Sequence, residues 1–281
     1  MKINKYVLWG MLKSTLIHLF LITVAVTCLF PIFWMVRCAF MSNDTVFVDQ
    51  ALIPHHLNFG NFAIAWTKGN FAVYFLNSVI YTVCVVGGIV LVSSLAAFSF
   101  SRLNFPFKNV IFYLFVAAMM IPLPGSFVAL FVLMTKLHLI NTRFGYILCM
   151  INVGLSMSIL IFKTFFDKMP PELEDAARID GCGKLGIWWN MAMPFARPAI
   201  AVIVIFNSLN VWNEYILSTL LLGDTKLMPL QRGLVVFQGA NSTDYPVLMA
   251  GLTMAAIPII MIYLFMQKHI VKGLSSGEVL G

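Results

Sequence analysis

Six apolar segments, each long enough to cross a bilayer, constrain this chain more than any other feature of its sequence. They cover roughly residues 14–37, 72–101, 107–134, 144–166, 196–222 and 246–267. About 20 consecutive apolar residues span the hydrocarbon core of a membrane. Because lipid offers no hydrogen-bond partners to a free backbone, each spanning segment must be helical. The sequence therefore predicts an all-α, polytopic membrane protein with six transmembrane helices.

The composition agrees with a lipid-facing exterior. The chain is 60% hydrophobic and only 10% charged, whereas soluble domains carry about 25% charged residues. Membrane lipid is therefore a predicted partner. The excess of seven positive charges is spread along the chain without a basic cluster, so no nucleic-acid binding is predicted. The basic N-terminus leads into an apolar run with no small-residue cleavage site after it, which we interpret as a retained first span.

The positions of the basic residues predict the orientation. If the N-terminus is cytoplasmic, twelve of the 18 Lys and Arg residues lie inside and six outside. This bias favours cytoplasmic N and C termini by the positive-inside rule. Residues 168–195 and the tail 268–281 are then cytoplasmic, and the loop 223–245 is outside.

The third predicted span contains a break. Its "MIPLPGS" stretch places Pro122, Pro124 and Gly125 where a regular helix needs bonded N–H groups. Two interpretations remain open: a kink packed against neighbouring helices, or a broken helix that lines a cavity.

One short segment is much richer in acidic residues than the rest of the chain. Residues 167–180 hold five of the eleven acidic residues: Asp167, Glu172, Glu174, Asp175 and Asp180. Pro170 and Pro171 indicate a helix start, and "GCG" at 181–183 indicates its end. Leu173, Ala176 and Ala177 are expected to share one narrow face, with Glu174 and Arg178 paired on the other.

A second amphipathic stretch follows, with Leu185, Trp188, Trp189 and Ala192 expected on one side. Residues 168–195 therefore predict a two-helix hairpin along the cytoplasmic boundary. The residues alone leave two interpretations open: an ordinary interfacial loop, or a helix that seats in a groove of another protein.

This segment resembles the EAA loop of ABC importer permeases, in which E-A-A is followed by three residues, G, nine residues and I-x-L-P. The matching positions are Asp175, Ala176, Ala177, Gly181, Met191, Met193 and Pro194. Aspartate replaces glutamate at 175, and methionines replace isoleucine and leucine. "LNSVIYTV", "LAAFSFSRLNFP", "LMTKLHLINT", "WNEYILSTLLL" and "KGLSSGEVLG" are similar to the carbohydrate-importing, maltose-type branch of that family.

The resemblance implies the permease subunit of a binding-protein-dependent ABC importer for a carbohydrate, either a mono- or oligosaccharide or a related polyol. The chain would form half of the translocation path in a bacterial or archaeal cytoplasmic (inner) membrane. Its expected partners are a second homologous permease, an ATPase dimer and an extracytoplasmic sugar-binding protein. ATP and Mg²⁺ would bind to the ATPase, with no cofactor bound by this chain.

The resemblance also assigns residues to roles. The ATPase-coupling residues would be Glu174, Asp175, Ala176, Ala177, Asp180, Gly181 and Pro194. Gly239, Asn241 and Ser242 would lie near the tip of the 223–245 loop, which either reaches into the binding protein's cleft or is a plain linker. Lys272, Gly273, Gly277 and Gly281 would belong to a tail that contacts the ATPase, although Glu278 and Leu280 depart from the family's usual ending.

No enzymatic or metal site is predicted. The nearest string to a phosphate-binding loop, "GCGKL", lacks both the G-x-x-x-x-G-K-[ST] spacing and the hydroxyl. The five cysteines and five histidines form no ligand-spaced or nucleophile pattern.

The fifth span carries the best polar constellation. On a continuous helix, Asn207, Asn210, Asn213, Glu214 and Ser218 share one stripe; Asn152 in the fourth span is a weaker candidate. An ionisable group within a span is costly and by default faces the bundle interior. Two interpretations remain: these groups hydrogen-bond sugar hydroxyls along the path, or they hold helices together.

Two rival functions remain as alternatives. An ion-coupled secondary transporter would need several coupled ionisable groups within its spans, and the sequence offers one, Glu214. A non-transporting membrane scaffold would leave the broken third span and the polar stripe unexplained.

Overall fold

The structure is a computed structural model that describes residues 5–68, 70–120, 123–237 and 243–275. Its contacts divide the chain into two units, residues 1–69 with 236–254 and residues 70–235 with 255–281. Each unit has a hydrophobic core of its own.

The elements of the described chain are all helices, which confirms the predicted all-α class. The α-helices in chain order are α1 Lys5–Ala39, α2 Gly60–Lys68, α3 Phe71–Arg102, α4 Lys108–Ala118, α5 Phe127–Lys136, α6 Arg143–Asp167, α7 Pro171–Ile179, α8 Lys184–Ile187, α9 Met193–Phe195, α10 Arg197–Trp212, α11 Ile216–Leu221, α12 Leu230–Gly233 and α13 Tyr245–Ser275. A π-helical turn occupies Trp188–Ala192, and 3₁₀ turns occupy Leu123–Ser126, Thr225–Leu227 and Leu234–Phe237.

Within the described ranges, four helices are long and apolar enough to cross a bilayer: α1, α3, α6 and α13. They coincide with the first, second, fourth and sixth predicted spans, although α1 begins earlier, at Lys5, and α13 continues to Ser275. The third and fifth predicted spans are each divided. The number of six crossings therefore stays a prediction.

The third span is interrupted where its sequence predicts. α4 ends at Ala118, a 3₁₀ turn covers Leu123–Ser126, and α5 begins at Phe127. Pro122 lies outside the described residues. The proline-rich stretch thus separates two short apolar helices, because a proline ring cannot supply the N–H that a continuous helix needs.

The fifth span is not one continuous helix over 196–222. Helix α10 ends at Trp212, and helical structure resumes only at Ile216 in α11. On its other side, α10 makes an angle of 78° with the Lys184–Phe195 segment. The 100° periodicity that placed five polar residues on one stripe therefore does not extend beyond Trp212.

The core of the second unit forms between α3 and α6, which run side by side in the same direction. At their starts, Arg143 Nη2 donates to Asn77 Oδ1 at 2.9 Å; at their ends, Arg102 Nη2 donates to the Phe166 carbonyl. Between these contacts, Val85 and Ile89 of α3 and Ile159 and Phe162 of α6 are fully buried. This close pairing fixes where both ends of α3 and α6 lie, and the candidate site is built on those ends.

The first unit is organised around a buried arginine. Arg37 Nε donates to the Ala51 carbonyl at 2.6 Å, and Nη2 donates to the Asp49 carbonyl at 2.7 Å. The guanidinium also lies 4.4 Å from the Trp34 ring centre. One buried cation therefore fixes the loop that follows α1, because a buried charge is tolerated only when it is well partnered.

Candidate functional site

The predicted coupling segment begins with a short amphipathic helix, α7. The helix starts directly after Pro170, and Pro171 takes its first position, where no backbone N–H needs a partner. Glu172 and Glu174 lie in the first turn, where the helix dipole favours negative charge. The helix ends before Gly181, which has a φ of 83°. Its start and end agree with the prediction.

Helix α7 turns two of the predicted coupling residues toward its own chain. Glu174 is 8% exposed, and Ala177, in the core of the second unit, is 0% exposed. Leu173 and Ala176 remain exposed. The expected common face of Leu173, Ala176 and Ala177 is therefore wrong, because the line through Glu174 and Ala177 sets which side of α7 packs inward.

The other side of α7 is free of packing within the described chain. Asp175, Ala176 and Asp180 are exposed, and Ile179 is 87% exposed. This surface combines two carboxylates with one large apolar side chain. It has the composition of a small docking surface for another protein, in which an apolar anchor is rimmed by charge.

The predicted pair on α7 is confirmed and has an additional partner. Arg178 Nη2 donates to Glu174 Oε1 at 2.6 Å. Arg102 Nη1, from the end of α3, lies 3.9 Å from Glu174 Oε2. Glu174 is thus held between two cations of its own chain, and its carboxylate points away from the exposed side of the helix.

Gly181 serves the turn after α7. Its φ of 83° lies in the left-handed region, and a Cβ at this position would meet no atom within 4 Å. Gly181 therefore provides a sharp turn at the end of the helix and not a close approach of another part of the chain. A side chain here is disfavoured by the backbone conformation and not by a collision.

We expect Gly181→Val to destabilise this turn by about 1–2 kcal/mol, because a β-branched residue is strained at positive φ. The matched control is Gly183→Val, since Gly183 has a φ of −73° and equally open surroundings. Thermal unfolding of the purified permease complex checks this prediction. Equal losses in the two variants would show that the left-handed conformation is not what matters.

The stretch after the turn does not keep the expected amphipathic face. Trp188 and Ala192 are buried, whereas Leu185 is 71% and Trp189 61% exposed. The side of this stretch that packs inward carries Ile187, Trp188 and Ala192, and a π-helical turn occupies Trp188–Ala192. Pro194 lies just beyond this turn, in α9, and is exposed.

Four of the predicted path residues line one cavity. The cavity measures about 690 Å³ and is lined by Asn152 of α6, by Asn210 of α10, and by Asn213 and Glu214 of the segment between α10 and α11. Apolar side chains of α5 and α6, such as Leu130 and Val153, supply much of the remaining wall. Ser126, in the turn that divides the third span, also lines it. The break in the third span therefore borders a cavity, as one of its two interpretations required.

The asparagines of this cavity differ in how free their carboxamides are. Asn213 Nδ2 donates to the Leu209 carbonyl at 2.9 Å, and Asn213 Oδ1 accepts from Gln231 Nε2 at 3.2 Å. Asn152 and Asn210 are exposed, and their side chains make no hydrogen bond within the described part of the chain. These two carboxamides are the ones available to a polar ligand.

Glu214 caps the start of α11. Its carboxylate accepts from the Leu217 N–H, from the Ser218 N–H at 2.9 Å and from the Tyr146 hydroxyl at 3.0 Å. The first N–H groups of a helix lack partners within that helix, and a carboxylate that satisfies them is stabilised by the helix dipole. Glu214 lines the cavity, but three of the roughly four acceptor positions of its carboxylate are already used.

Asn207 and Ser218 do not belong to the cavity lining. Asn207 is buried, and its Nδ2 donates to Ser158 Oγ at 3.2 Å and to the Ile203 carbonyl at 2.8 Å. Ser218 is fully buried, and its hydroxyl donates to the Tyr215 carbonyl at 2.8 Å. For Asn207, which bonds Ser158 of α6, the structure supports the interpretation that polar groups hold helices together, whereas the Ser218 hydroxyl bonds within its own turn.

The first part of the predicted outer loop packs against α3. Asn77 Nδ2 donates to the Lys226 carbonyl at 2.8 Å, and the Tyr81 hydroxyl donates to the Leu227 carbonyl at 2.7 Å. The Leu230 N–H donates to Ser78 Oγ at 2.8 Å. Residues 226–230 are therefore held in place by one face of α3 and are not a free linker.

Several predicted residues lie outside the described chain. These are Gly239, Asn241 and Ser242 of the outer loop and Gly277 and Gly281 of the tail. Lys272 and Gly273 lie in α13, which extends the helix of the sixth span into the predicted tail.

Sequence reasoning missed two residues that organise the site, Arg102 and Tyr146. In a chain with so few charges, an arginine at the end of a long apolar span could have indicated a residue that organises the site. Its partners, however, are 64 or more residues away along the chain, and no local pattern predicts them. Tyr146 carries no such signal, since nothing in its neighbourhood indicates that it meets Glu214.

The comparisons with known proteins agree with this architecture. Residues 89–276 match the family described as "Binding-protein-dependent transport system inner membrane component". A probable ABC transporter permease protein, YurM of Bacillus subtilis (strain 168), is 34% identical over 268 residues, covering 95% of this chain and 88% of the relative. The diacetylchitobiose uptake system permease protein NgcG of Streptomyces coelicolor is 30% identical, covering 92% and 87%. The maltodextrin transport system permease protein MalD of Streptococcus pneumoniae is 28% identical, covering 95% of both.

Two solved structures share the fold. One chain of a bacterial ABC transporter involved in the import of the acidic polysaccharide alginate matches with a TM-score of 0.79 at 24% identity, covering 95% of this chain and 98% of that one. A chain of an alginate transporter in complex with an alginate pentasaccharide-bound periplasmic protein matches with a TM-score of 0.60 at 14% identity, covering 92% of both. With the family match over two thirds of its length and the 34% identical permease, this chain belongs to the inner membrane components of binding-protein-dependent transport systems.

Proposed function

We propose that this chain is one permease subunit of an ABC importer for an uncharged saccharide, and that it forms half of the translocation path. The observation that carries the proposal is the joint presence, in one unit, of a cavity with free carboxamides and a coupling helix with an unpacked acidic side. Relatives named for diacetylchitobiose and maltodextrin transport support a carbohydrate as the substrate.

The chemistry of the cavity supports a neutral substrate. A carboxamide offers both a donor and an acceptor, as a sugar hydroxyl does, and Asn152 and Asn210 are free to bind one. The described lining contains Glu214 and no Lys, Arg or His. An anionic sugar would meet a carboxylate without a cation beside it, which is unfavourable in a site of low polarity. The cavity therefore fits an uncharged saccharide better than an acidic one such as alginate.

The exposed side of α7 supports coupling to a separate ATPase. ATP and Mg²⁺ would bind to that partner, which would push on Asp175, Ala176, Ile179 and Asp180 as it closes. The push would reorient α3 and α6 and open the path toward a binding protein that delivers the sugar. A second homologous permease would supply the other half of the path.

The distribution of basic residues supports cytoplasmic N and C termini, with residues 168–195 on the cytoplasmic side. The membrane would be the cytoplasmic (inner) membrane of a bacterium or archaeon. Residues 226–230, held against α3, would then form a fixed base for the outer loop that faces the binding protein.

The ion-coupled alternative is not favoured by the geometry of Glu214. This carboxylate is the single acidic group of the described cavity lining, and it already accepts three hydrogen bonds. Its hydrogen bonds to the start of α11 and to Tyr146 give it a structural role, and the described lining offers no second acidic group and no Lys, Arg or His to couple with it.

Uptake of a neutral oligosaccharide by the importer, reconstituted with its permease, ATPase and binding-protein partners, tests the proposal. We expect Asn152→Ala and Asn210→Ala each to raise the KM of uptake about 3–10-fold, because each removes one hydrogen bond to the sugar. The matched control is Asn109→Ala on α4, which is exposed and does not line the cavity.

Three results would contradict the proposal. Uptake driven by an ion gradient without the ATPase would favour a secondary transporter, and no uptake of any saccharide would favour a scaffold. A preference for a uronic acid oligomer over the neutral one would overturn the inference from the charge of the cavity.

A further inference from the structure

We propose that Arg102 is a positioning residue that joins the coupling helix to the ends of α3 and α6, so that the three segments move as one body. The inference rests on the proposed function, in which α7 receives the push of an ATPase. Arg102 is the last residue of α3, and its guanidinium contacts two other segments at once. It belongs to neither the exposed docking side of α7 nor the cavity.

The first contact joins α3 to α6. Arg102 Nη2 donates to the carbonyls of Phe166 and Met169, which lie in and just beyond the last turn of α6. The last carbonyls of a helix have no partner within it, and the helix dipole favours a cation beside them. Phe166 and Met169 have side chains that are 0% and 2% exposed, so the backbone that Arg102 holds is itself fixed by the core.

The second contact joins the same side chain to α7. Arg102 Nη1 lies 3.9 Å from Glu174 Oε2, and Glu174 is 8% exposed. A carboxylate that is nearly buried needs a cationic partner, and α7 itself offers only Arg178, whose side chain is 58% exposed. Arg102 is therefore the inward partner of Glu174 and binds it to the spans.

The form of the guanidinium suits this role. It carries five donors in a rigid fork, so it serves two carbonyls and a carboxylate together, which an ammonium group does not do as well. Arg102 Nε is buried and has no partner among the described residues.

Few other links connect α7 to the spans. The chain passes from α6 to α7 through Met169 and Pro170, and Ala177 packs into the core with only a methyl group. A methyl contact resists compression but not withdrawal. The ion pair between Arg102 and Glu174 resists both, so Arg102 would transmit the return of α7 as well as its push.

The test compares Arg102→Gln, Glu174→Gln and the double variant in proteoliposomes that contain the complete importer. Basal ATPase activity, its stimulation by sugar-loaded binding protein, and uptake per ATP are measured for each. We expect Arg102→Gln to keep basal activity within about twofold and to lose stimulation and uptake by about tenfold, because the ion pair that carries the displacement of α7 to the spans would be lost. Glu174→Gln should lose less, because the carbonyl contacts of Arg102 remain, and the double variant should be no worse than Arg102→Gln.

Arg197→Gln is the matched control, since Arg197 is exposed at the start of α10 and makes no described ion pair. Full stimulation in assembled Arg102→Gln would overturn the inference. If the Arg102→Gln importer does not assemble, the same measurements are made on Arg102→Lys. A reduced ratio of stimulated to basal ATPase activity supports a positioning role. A normal ratio shows that Arg102 is only structural. If the unaltered importer shows neither uptake nor stimulation, the proposed function fails, and not this assignment alone.

Discussion

Ala177→Asp is expected to destabilise the permease by about 3–5 kcal/mol, the cost of leaving a charge uncompensated in a core. Ala177 is fully buried in the core of the second unit. The nearest carboxylate on α7, Glu174, already uses the available cations, Arg102 and Arg178. The new carboxylate would therefore have no partner, and α7 would no longer pack against the core.

The matched control is the neighbouring Ala176→Asp, which places the same charge on the exposed side of α7. We expect this variant to keep the stability of the permease and to lose coupling to the proposed ATPase. Thermal unfolding of the purified complex and uptake in proteoliposomes separate the two effects. Equal stability of the Ala177 and Ala176 variants would show that α7 is not seated as the structure describes.

Glu214→Ala is expected to lower the stability of the second unit by about 3 kcal/mol, because three donors lose their acceptor and buried donors each cost about 1–3 kcal/mol when unsatisfied. The donors are the Leu217 and Ser218 N–H groups and the Tyr146 hydroxyl. Loss of the cap would free the start of α11, so the wall of the cavity would lose its shape. Assembly of the complex and its unfolding temperature measure this effect.

Asn213→Ala is the control for Glu214, since it is the adjacent cavity residue and is exposed. Asn213 makes hydrogen bonds at the surface of the cavity, so its removal should change the stability far less than the removal of Glu214. A Glu214→Ala importer that assembles normally but binds sugar about tenfold more weakly would contradict the capping role. That result would instead favour direct contact between Glu214 and the substrate.

The predictions for Ala177 and Glu214 concern the two ends of the segment that would transmit movement from α7 to the cavity. α7 is attached at the end of α3 and α6, and the cavity lies beside α6 and the start of α11. In the proposed cycle, a displacement of α7 changes the cavity only if both attachments are firm. Arg102 would hold α7 to the ends of α3 and α6, and Glu214 holds the start of α11 beside the cavity. Each does so through a charged group that hydrogen-bonds backbone atoms at a helix end.

The sequence by itself determined the class of this protein. Long apolar runs require helices in lipid, and the spacing from Asp175 to Pro194 is specific enough to indicate the family. The prolines at 170 and 171 and the glycine at 181 determined where α7 begins and ends, because these residues act through local backbone geometry. Such features can be recognised from the sequence alone.

Only the tertiary structure decided which polar groups face the cavity. A helical periodicity treats Asn207, Asn210, Asn213, Glu214 and Ser218 alike. In the structure Asn207 and Ser218 are buried, whereas Asn210, Asn213 and Glu214 line the cavity. The side of α7 that packs inward likewise carries Glu174, whose partner Arg102 comes from another helix. Both outcomes depend on contacts between residues that are distant in sequence, and a local pattern carries no information about such contacts.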